Sequence, residues 1–266
     1  MEYKPYAHLD YGEPKVGKTD YLASVFESKY FSHEEILYLD NHGSTKGQDV
    51  PRYSAKTPYG VKDMPGGDPS LFTKEVDKIV SNIAKDKNKI KVLILDDLSE
   101  HASAAIAKLM KENPSSGMRN WGVHLDNMTD PMRRVMPDRT GLIVLMSARA
   151  ARMADLLEDK AKLLDGGQDN PATVVRPLLQ GQFGAWALFE FDLTSLHTVE
   201  SKGERLTFSI DCWPHQDRTT GCRFLKQWRR LKIPRKVDDP TFDSVFEIMQ
   251  QVIPGTVDKI DNEDDN

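Results

Sequence analysis

Apolar residues in this chain fall into two kinds of segment, and their alternation predicts the fold class. Short continuous runs, bounded by charge or glycine, occupy residues 6–11, 36–40, 90–97 and 141–146. A run apolar on both faces, such as Val92-Leu93-Ile94-Leu95, predicts a buried strand of a parallel sheet. Between the runs lie segments with helical spacing: residues 18–28, 69–85 (Leu71, Val76, Ile79, Val80, Ile83), 98–112 and 120–135. Pro131 inside the last of these predicts a kink or a fresh start. Residues 193–200 and 205–213 flank Ser201-Lys202-Gly203-Glu204 as a hairpin, and residues 239–252 form a closing helix. Residues 47–69 are rich in glycine, proline and polar side chains and predict an exposed loop. Residues 148–173 lose apolar order around Gly166, Gly167 and Pro171 and predict a loop with some helix. The expectation is one α/β domain over residues 1–252, a mostly parallel central sheet with helices on both faces and a C-terminal hairpin. Residues 253–266 form an acidic tail expected to be disordered.

Composition narrows the class. With 39% hydrophobic and 29% charged residues in 266, the chain can bury a sizeable core and reads as an ordinary globular protein. No apolar stretch reaches membrane-spanning length, and the first dozen residues lack signal-peptide architecture, so a cytoplasmic location and no membrane partner are expected. Cys212 and Cys222, with His215 between them, lack a fourth ligand at zinc spacing. The net charge of −5 argues against nucleic-acid binding by the whole surface. Its distribution is uneven, however. Residues 223–236 hold seven bases (Arg223, Lys226, Arg229, Arg230, Lys232, Arg235, Lys236) and no acid, whereas the tail from Asp258 holds five acids against Lys259.

Candidate chemistry starts at the first turn. Gly12-Glu13-Pro14-Lys15-Val16-Gly17-Lys18-Thr19 fits the phosphate-loop pattern G-x-x-x-x-G-K-[ST] at every fixed position, directly after a predicted strand. The glycines let successive N–H groups turn inward onto phosphate oxygens. Lys18 supplies a mobile positive charge for the β- and γ-phosphates. Thr19 offers its hydroxyl to Mg²⁺, and the helix that begins here, with Asp20 in its first turn, presents its positive end. ATP with Mg²⁺ is the expected cofactor pair. Phosphoryl chemistry also needs an acid for the metal, usually at the end of a buried strand. Asp96 fits, and Asp97 beside it is a candidate to orient or activate the attacking water.

The order of these elements resembles the RecA-like P-loop ATPases, and more narrowly the compact phage-encoded members associated with single-strand annealing and recombination. The phosphate loop, the strand ending in Asp40-Asn41-His42-Gly43 and the run from Val92 to Asp96 carry the resemblance. Asn120-Trp121-Gly122 before the strand at 141–149, Pro177-Leu178-Leu179-Gln180-Gly181 before a short apolar helix and Asp192, and Lys226-Gln227-Trp228-Arg229 with Pro234 and Asp239-Pro240-Thr241 agree in order. The resemblance spans residues 6–252. It implies ATP hydrolysis, action on single-stranded DNA and a homo-oligomeric ring or filament. Ser147 and Arg149 then stand where a γ-phosphate sensor is expected, and Lys226 and Arg229 become candidate fingers for a neighbouring subunit's phosphates. Residues 152–173 fall where a DNA-contacting loop is expected. The basic stripe with Trp228 as a stacking platform is an alternative DNA surface. One departure stands out: His42 occupies the place of the water-activating glutamate. That leaves open hydrolysis supported by Asp97 or Asp40, slow hydrolysis, or a nucleotide-gated DNA-binding scaffold without turnover. A small-molecule kinase is a third class, weakened because no compact arginine-rich lid follows the central strands.

Overall fold

The computed structural model describes residues 2–64, 69–85, 87–152, 175–179, 181–202, 205–214 and 219–254. In chain order the elements are β1 (Ala7–Gly12), α1 (Lys18–Ala23), β2 (Ile36–Asp40), β3 (Gly60–Asp63), α2 (Pro69–Ala84), β4 (Val92–Asp96), α3 (Leu98–Glu112), α4 (Gly117–Val135), α5 (Pro137–Thr140), β5 (Ile143–Arg152), β6 (Val175–Pro177), α6 (Gly181–Glu190), β7 (Leu193–Lys202), β8 (Arg205–Asp211), β9 (Gly221–Cys222), α7 (Leu225–Arg230), β10 (Lys236–Asp238) and α8 (Phe242–Val252). The sheet runs β10-β8-β7-β1-β5-β4-β2-β3. The six strands from β7 to β3 are mutually parallel, and β8 and β10 continue the sheet antiparallel. The expected mixed α/β fold with a mostly parallel sheet and a C-terminal hairpin is present.

Strand alternation sorts the core into two layers. Leu9, Leu39, Leu93, Leu95 and Val144 pack with α2, α3, α4 and α6 through residues such as Phe72, Ala102, Met128 and Phe183. Ile36, Tyr38, Val92, Ile94 and Leu145 face the other way, onto α1, α7 and α8, where Tyr21, Trp228 and Phe246 are buried. Helices therefore cover both faces, which is why β4 reads as one continuous apolar run.

Several expectations need correction. Residues 47–69 are not loop throughout: β3 pairs in parallel with β2, and Val61 is buried. Four residues entered through Gly60, at φ 82°, show no period of their own, so the pairing is decided by the neighbouring strand. The first helix ends at Ala23 and tightens into a 3-10 turn over Ser24–Glu27. β5 does not stop at 146 but runs to Arg152, its extension paired with β6. Pro131 lies within a continuous α4, which begins at Gly117. The loop expected at 153–173 lies outside the described residues.

Candidate functional site

The parallel strands share one device. On the face covered by α1, each apolar strand changes to a polar residue at the same level: Asp40 on β2, Asp96 on β4, Ser147 on β5, Asp10 on β1 and Ser195 on β7. Asp40 pairs with Asp96 in register, and Asp10 lies between Ser147 and Ser195. All five are buried. A buried polar row must be internally satisfied or it destabilises the fold, so its hydrogen bonds define the site.

The phosphate loop leaves β1 just above this row. Gly12 is dictated by its neighbour on β7: a Cβ there would lie 2.6 Å from the His197 carbonyl oxygen. Gly17 adopts φ 92°, and a Cβ on it would meet Phe208 at 3.1 Å. Lys18 folds over the loop and donates to the carbonyls of Gly12 and Glu13 at 2.9 and 2.8 Å. Burial pulls its ammonium below the ordinary lysine range, against the opposing pull of Asp10, Asp97 and Asp96. Asp20, in the first turn of α1, accepts from Gln48 at 2.8 Å and ties α1 to the segment after β2.

Asp96 gathers four hydroxyls. Thr19 donates to Oδ2 at 3.0 Å, Tyr38 and Ser44 donate to the same oxygen at 2.8 Å each, and Ser147 donates to Oδ1. Burial and Asp96 push the Tyr38 phenol well above its ordinary range, so it stays a donor. Asp40 shapes the loop that carries Ser44. Its carboxylate accepts from the N–H groups of His42, Ser44 and Thr45 and from the Thr45 hydroxyl. Burial works to raise this carboxyl, but those donors outweigh it and hold it below the usual carboxylate range. Thr19 and Asp96 thus place a hydroxyl and a carboxylate oxygen side by side. Hard oxygen donors of this kind suit Mg²⁺, so the residues present fit the expected metal.

Beyond Asp96 stands a second cluster. Asp97 caps α3, accepting from Ser99 N–H at 2.6 Å and Glu100 N–H at 3.3 Å, and its other oxygen pairs with Arg149 Nε at 3.2 Å. Burial and adjacent Asp96 raise its carboxyl. Arg149, beside Gly12 in register, also reaches Glu100 at 3.1 Å and His42 Nε2 at 2.7 Å. His42 Nε2 lies 3.5 Å from Glu100. Both Asp97 oxygens are thus engaged structurally, while His42 and Glu100 remain partly open to solvent.

On the other side of the row, Asp10 sits in a sealed network. Ser195 donates to Oδ1 at 2.8 Å and His197 Nδ1 lies 2.9 Å from Oδ2. His8 bridges Ser195 Oγ at 2.7 Å and the Tyr21 hydroxyl at 3.0 Å. Because Ser195 gives its proton to Asp10, it accepts from His8 Nε2–H, and His8 Nδ1 accepts from Tyr21. Burial outweighs the attraction of Asp10 and lowers the His8 pKa to about 4.

The structure therefore brings together Gly12 to Asp20, His42, Asp96, Asp97, Ser147 and Arg149. It does not bring Lys226 and Arg229 to them. These two lie on α7, which follows β9 beside the first residues of β7, at the end of the sheet away from the phosphate loop. Arg229 stacks its guanidinium over Trp213, 5.1 Å from the ring centre, and Arg235 does so at 4.6 Å. Trp228 cannot be a stacking platform: it is 1% exposed, and its indole N–H donates to the carbonyls of Ile233 and Pro234. Sequence reasoning missed Tyr38, Ser44, Glu100 and the Asp10 network. The signal was available in the strand alternation, where a polar residue keeps step with inward positions in Ile36-x-Tyr38-x-Asp40 and Val92-x-Ile94-x-Asp96.

No family model and no curated protein matches this sequence. Solved structures are similar in chain path. An ATPase of the type III secretion system of pathogenic bacteria is 11% identical, with a TM-score of 0.45 over 73% of this chain. This chain spans about half (51%) of that protein's length. A KaiC-like protein from Pyrococcus horikoshii is 11% identical, with a TM-score of 0.37 over 80% of each chain. The flagellar accessory protein FlaH from Methanocaldococcus jannaschii is 10% identical, with a TM-score of 0.43 over 90% of this chain and 86% of its own.

Proposed function

We propose that this chain binds and hydrolyses ATP with Mg²⁺ at the end of the sheet where the phosphate loop meets Asp96. The observation that carries the reading is the 3.0 Å contact between Thr19 Oγ1 and Asp96 Oδ2, which joins the last residue of the loop to the strand-end acid 77 positions later. The backbone N–H groups between Gly12 and Thr19 take the phosphate oxygens, and Lys18 exchanges its two loop carbonyls for the β- and γ-phosphates. Thr19 and Asp96 would hold Mg²⁺, which supplies charge neutralisation on those oxygens when bound. Ser147 fixes the Asp96 carboxylate from the neighbouring strand β5, and Arg149 is the cation available to the γ-phosphate.

The wider reading is a homo-oligomer acting on single-stranded DNA. Its support is the exposed basic set Lys226, Arg229, Arg230, Lys232 and Arg235, remote from this chain's own phosphate loop, as an element acting on a neighbour or on a strand must be. The test is ATP turnover with and without single-stranded DNA, beside a Lys18→Ala control. Turnover that falls on the order of 100-fold or more in the control is expected. Binding of ATP with no turnover would leave a nucleotide-gated protein, and no binding would overturn the reading. For the DNA part, affinity should fall steeply with salt, and nucleotide should increase the sedimenting mass; insensitivity of both removes it.

A further inference from the structure

Three side chains at the mouth of the site share their hydrogen bonds in a way that makes sense as a switch. Arginine has no acceptor, so in the 2.7 Å contact Arg149 Nη2 donates and His42 Nε2 accepts. The ring proton is then on Nδ1, and Nδ1 is unable to take another. The same Nε2 faces a second partner, Glu100 Oε2 at 3.5 Å, which only accepts. Two neighbours of His42 therefore demand opposite tautomers, and Arg149 decides between them. Arg149 is itself held by Asp97 and Glu100, yet its side chain is 40% exposed, so the negative charge of a triphosphate has access to it. Its backbone pairs with Gly12, where the phosphate loop begins. The loop bearing His42 is bound to the same centre, because Ser44 donates its N–H to Asp40 and its hydroxyl to Asp96.

We propose that Arg149, His42 and Glu100 form a substrate-sensing base, in which His42 Nδ1 activates the attacking water and Glu100 positions the ring. The proposal rests on the ATPase reading above. When Arg149 turns to the incoming γ-phosphate, Nε2 is released to Glu100, which holds the Nε2–H tautomer and leaves the Nδ1 lone pair free. Nδ1 then takes one proton of a water as its oxygen bonds the γ-phosphorus. The bond from that phosphorus to the β–γ bridging oxygen breaks, ADP leaves with the electron pair, and the imidazolium returns its proton to solvent. Without a γ-phosphate, Arg149 stays on His42 and the base is off.

Ring nitrogen-15 shifts of His42, assigned by their loss in His42→Gln, read the switch directly. The unprotonated ring nitrogen should be Nε2 in the free protein and with ADP, and Nδ1 with a non-hydrolysable ATP analogue. In turnover, His42→Ala should lose on the order of 100-fold with ATP affinity within about twofold, and added imidazole should restore part of the rate. Glu100→Gln should lose activity in kcat rather than in ATP affinity. The two side chains are 39% and 33% exposed, and thermal melting checks that the variants fold. If wild type hydrolyses ATP while both variants keep their rates, or if the tautomer ignores the analogue, the switch is wrong and the ATPase reading stands. If wild type binds ATP without turnover, both fail together.

Discussion

Asp96 and Asp10 are buried aspartates in the same row of one sheet, separated only by Ser147 on β5, yet their surroundings differ in kind. Asp96 is surrounded by small or mobile hydroxyls: Thr19, Ser44, Ser147 and the Tyr38 phenol. Hydroxyls can turn, and Thr19 can exchange its carboxylate partner for a cation without leaving a buried group unsatisfied. Asp10 is closed in by His197 and by the chain Ser195–His8–Tyr21, in which each donor has one acceptor. Nothing in that chain can rotate away without orphaning its neighbour. The same residue type at the same level is thus built for exchange on one side and for rigidity on the other. The rigid side supports the phosphate loop through His197, whose carbonyl crowds Gly12 and whose ring approaches Gly17.

The largest effect expected from this contrast is a crossing of phenotypes. Asp96→Asn should reduce ATP turnover on the order of 1,000-fold, since charge stabilisation through a metal is worth several kcal/mol, while urea stability falls by only about 1 kcal/mol because the surrounding hydroxyls can turn to accept from the new amide. Asp10→Asn should do the reverse to folding, costing about 3 kcal/mol, because the buried His197 and Ser195 donors lose a charged acceptor. Stability curves and turnover measured on both variants test this. Equal loss of stability in the two would erase the distinction.

The exchangeable half was the legible half. Phosphate loops are written in contiguous residues, and Asp96 ends a run whose burial is visible from its apolarity, so local sequence carried both. The Asp10 network joins residues up to 187 positions apart, and each member taken singly reads as an ordinary strand residue. β3 was missed for a related reason, its pairing being decided by β2 rather than by its own four residues. The basic segment was legible as charge but misjudged in one detail, because Trp228 between lysines and arginines faces the core that α7 shares with α8. A six-residue helix gives too few turns for its inward position to be read from spacing.

The sealed half should also show itself in pH. Folding lowers the His8 pKa from 6.5 to about 4, mainly through burial. The folded state therefore binds fewer protons than the unfolded state between those values. The stabilisation from the neutral ring is complete above about pH 6.5, and falls away as pH drops toward 4, by at most about 3 kcal/mol. Urea midpoints at pH 7.5, 6 and 5 should decline more steeply in wild type than in His8→Gln. Parallel slopes would place the acid sensitivity elsewhere in the chain.

The smallest effect is the most discriminating, because it removes a single hydroxyl from each half. Tyr38→Phe keeps the ring that stacks on Phe26 at 6.4 Å and deletes one of four donors to Asp96. Three donors remain, so the expected cost is about 1 kcal/mol, with a few-fold loss of turnover. Ser195→Ala deletes the one link between His8 and Asp10, leaving a buried N–H without an acceptor and a carboxylate oxygen without its donor. About 2 kcal/mol is expected there, from a smaller side chain that touches no phosphate. If the tyrosine proves the costlier of the two, the hydroxyls around Asp96 are as fixed as the histidines around Asp10. The open end of the row would then be a rigid structural knot rather than a place where a cation exchanges for a proton.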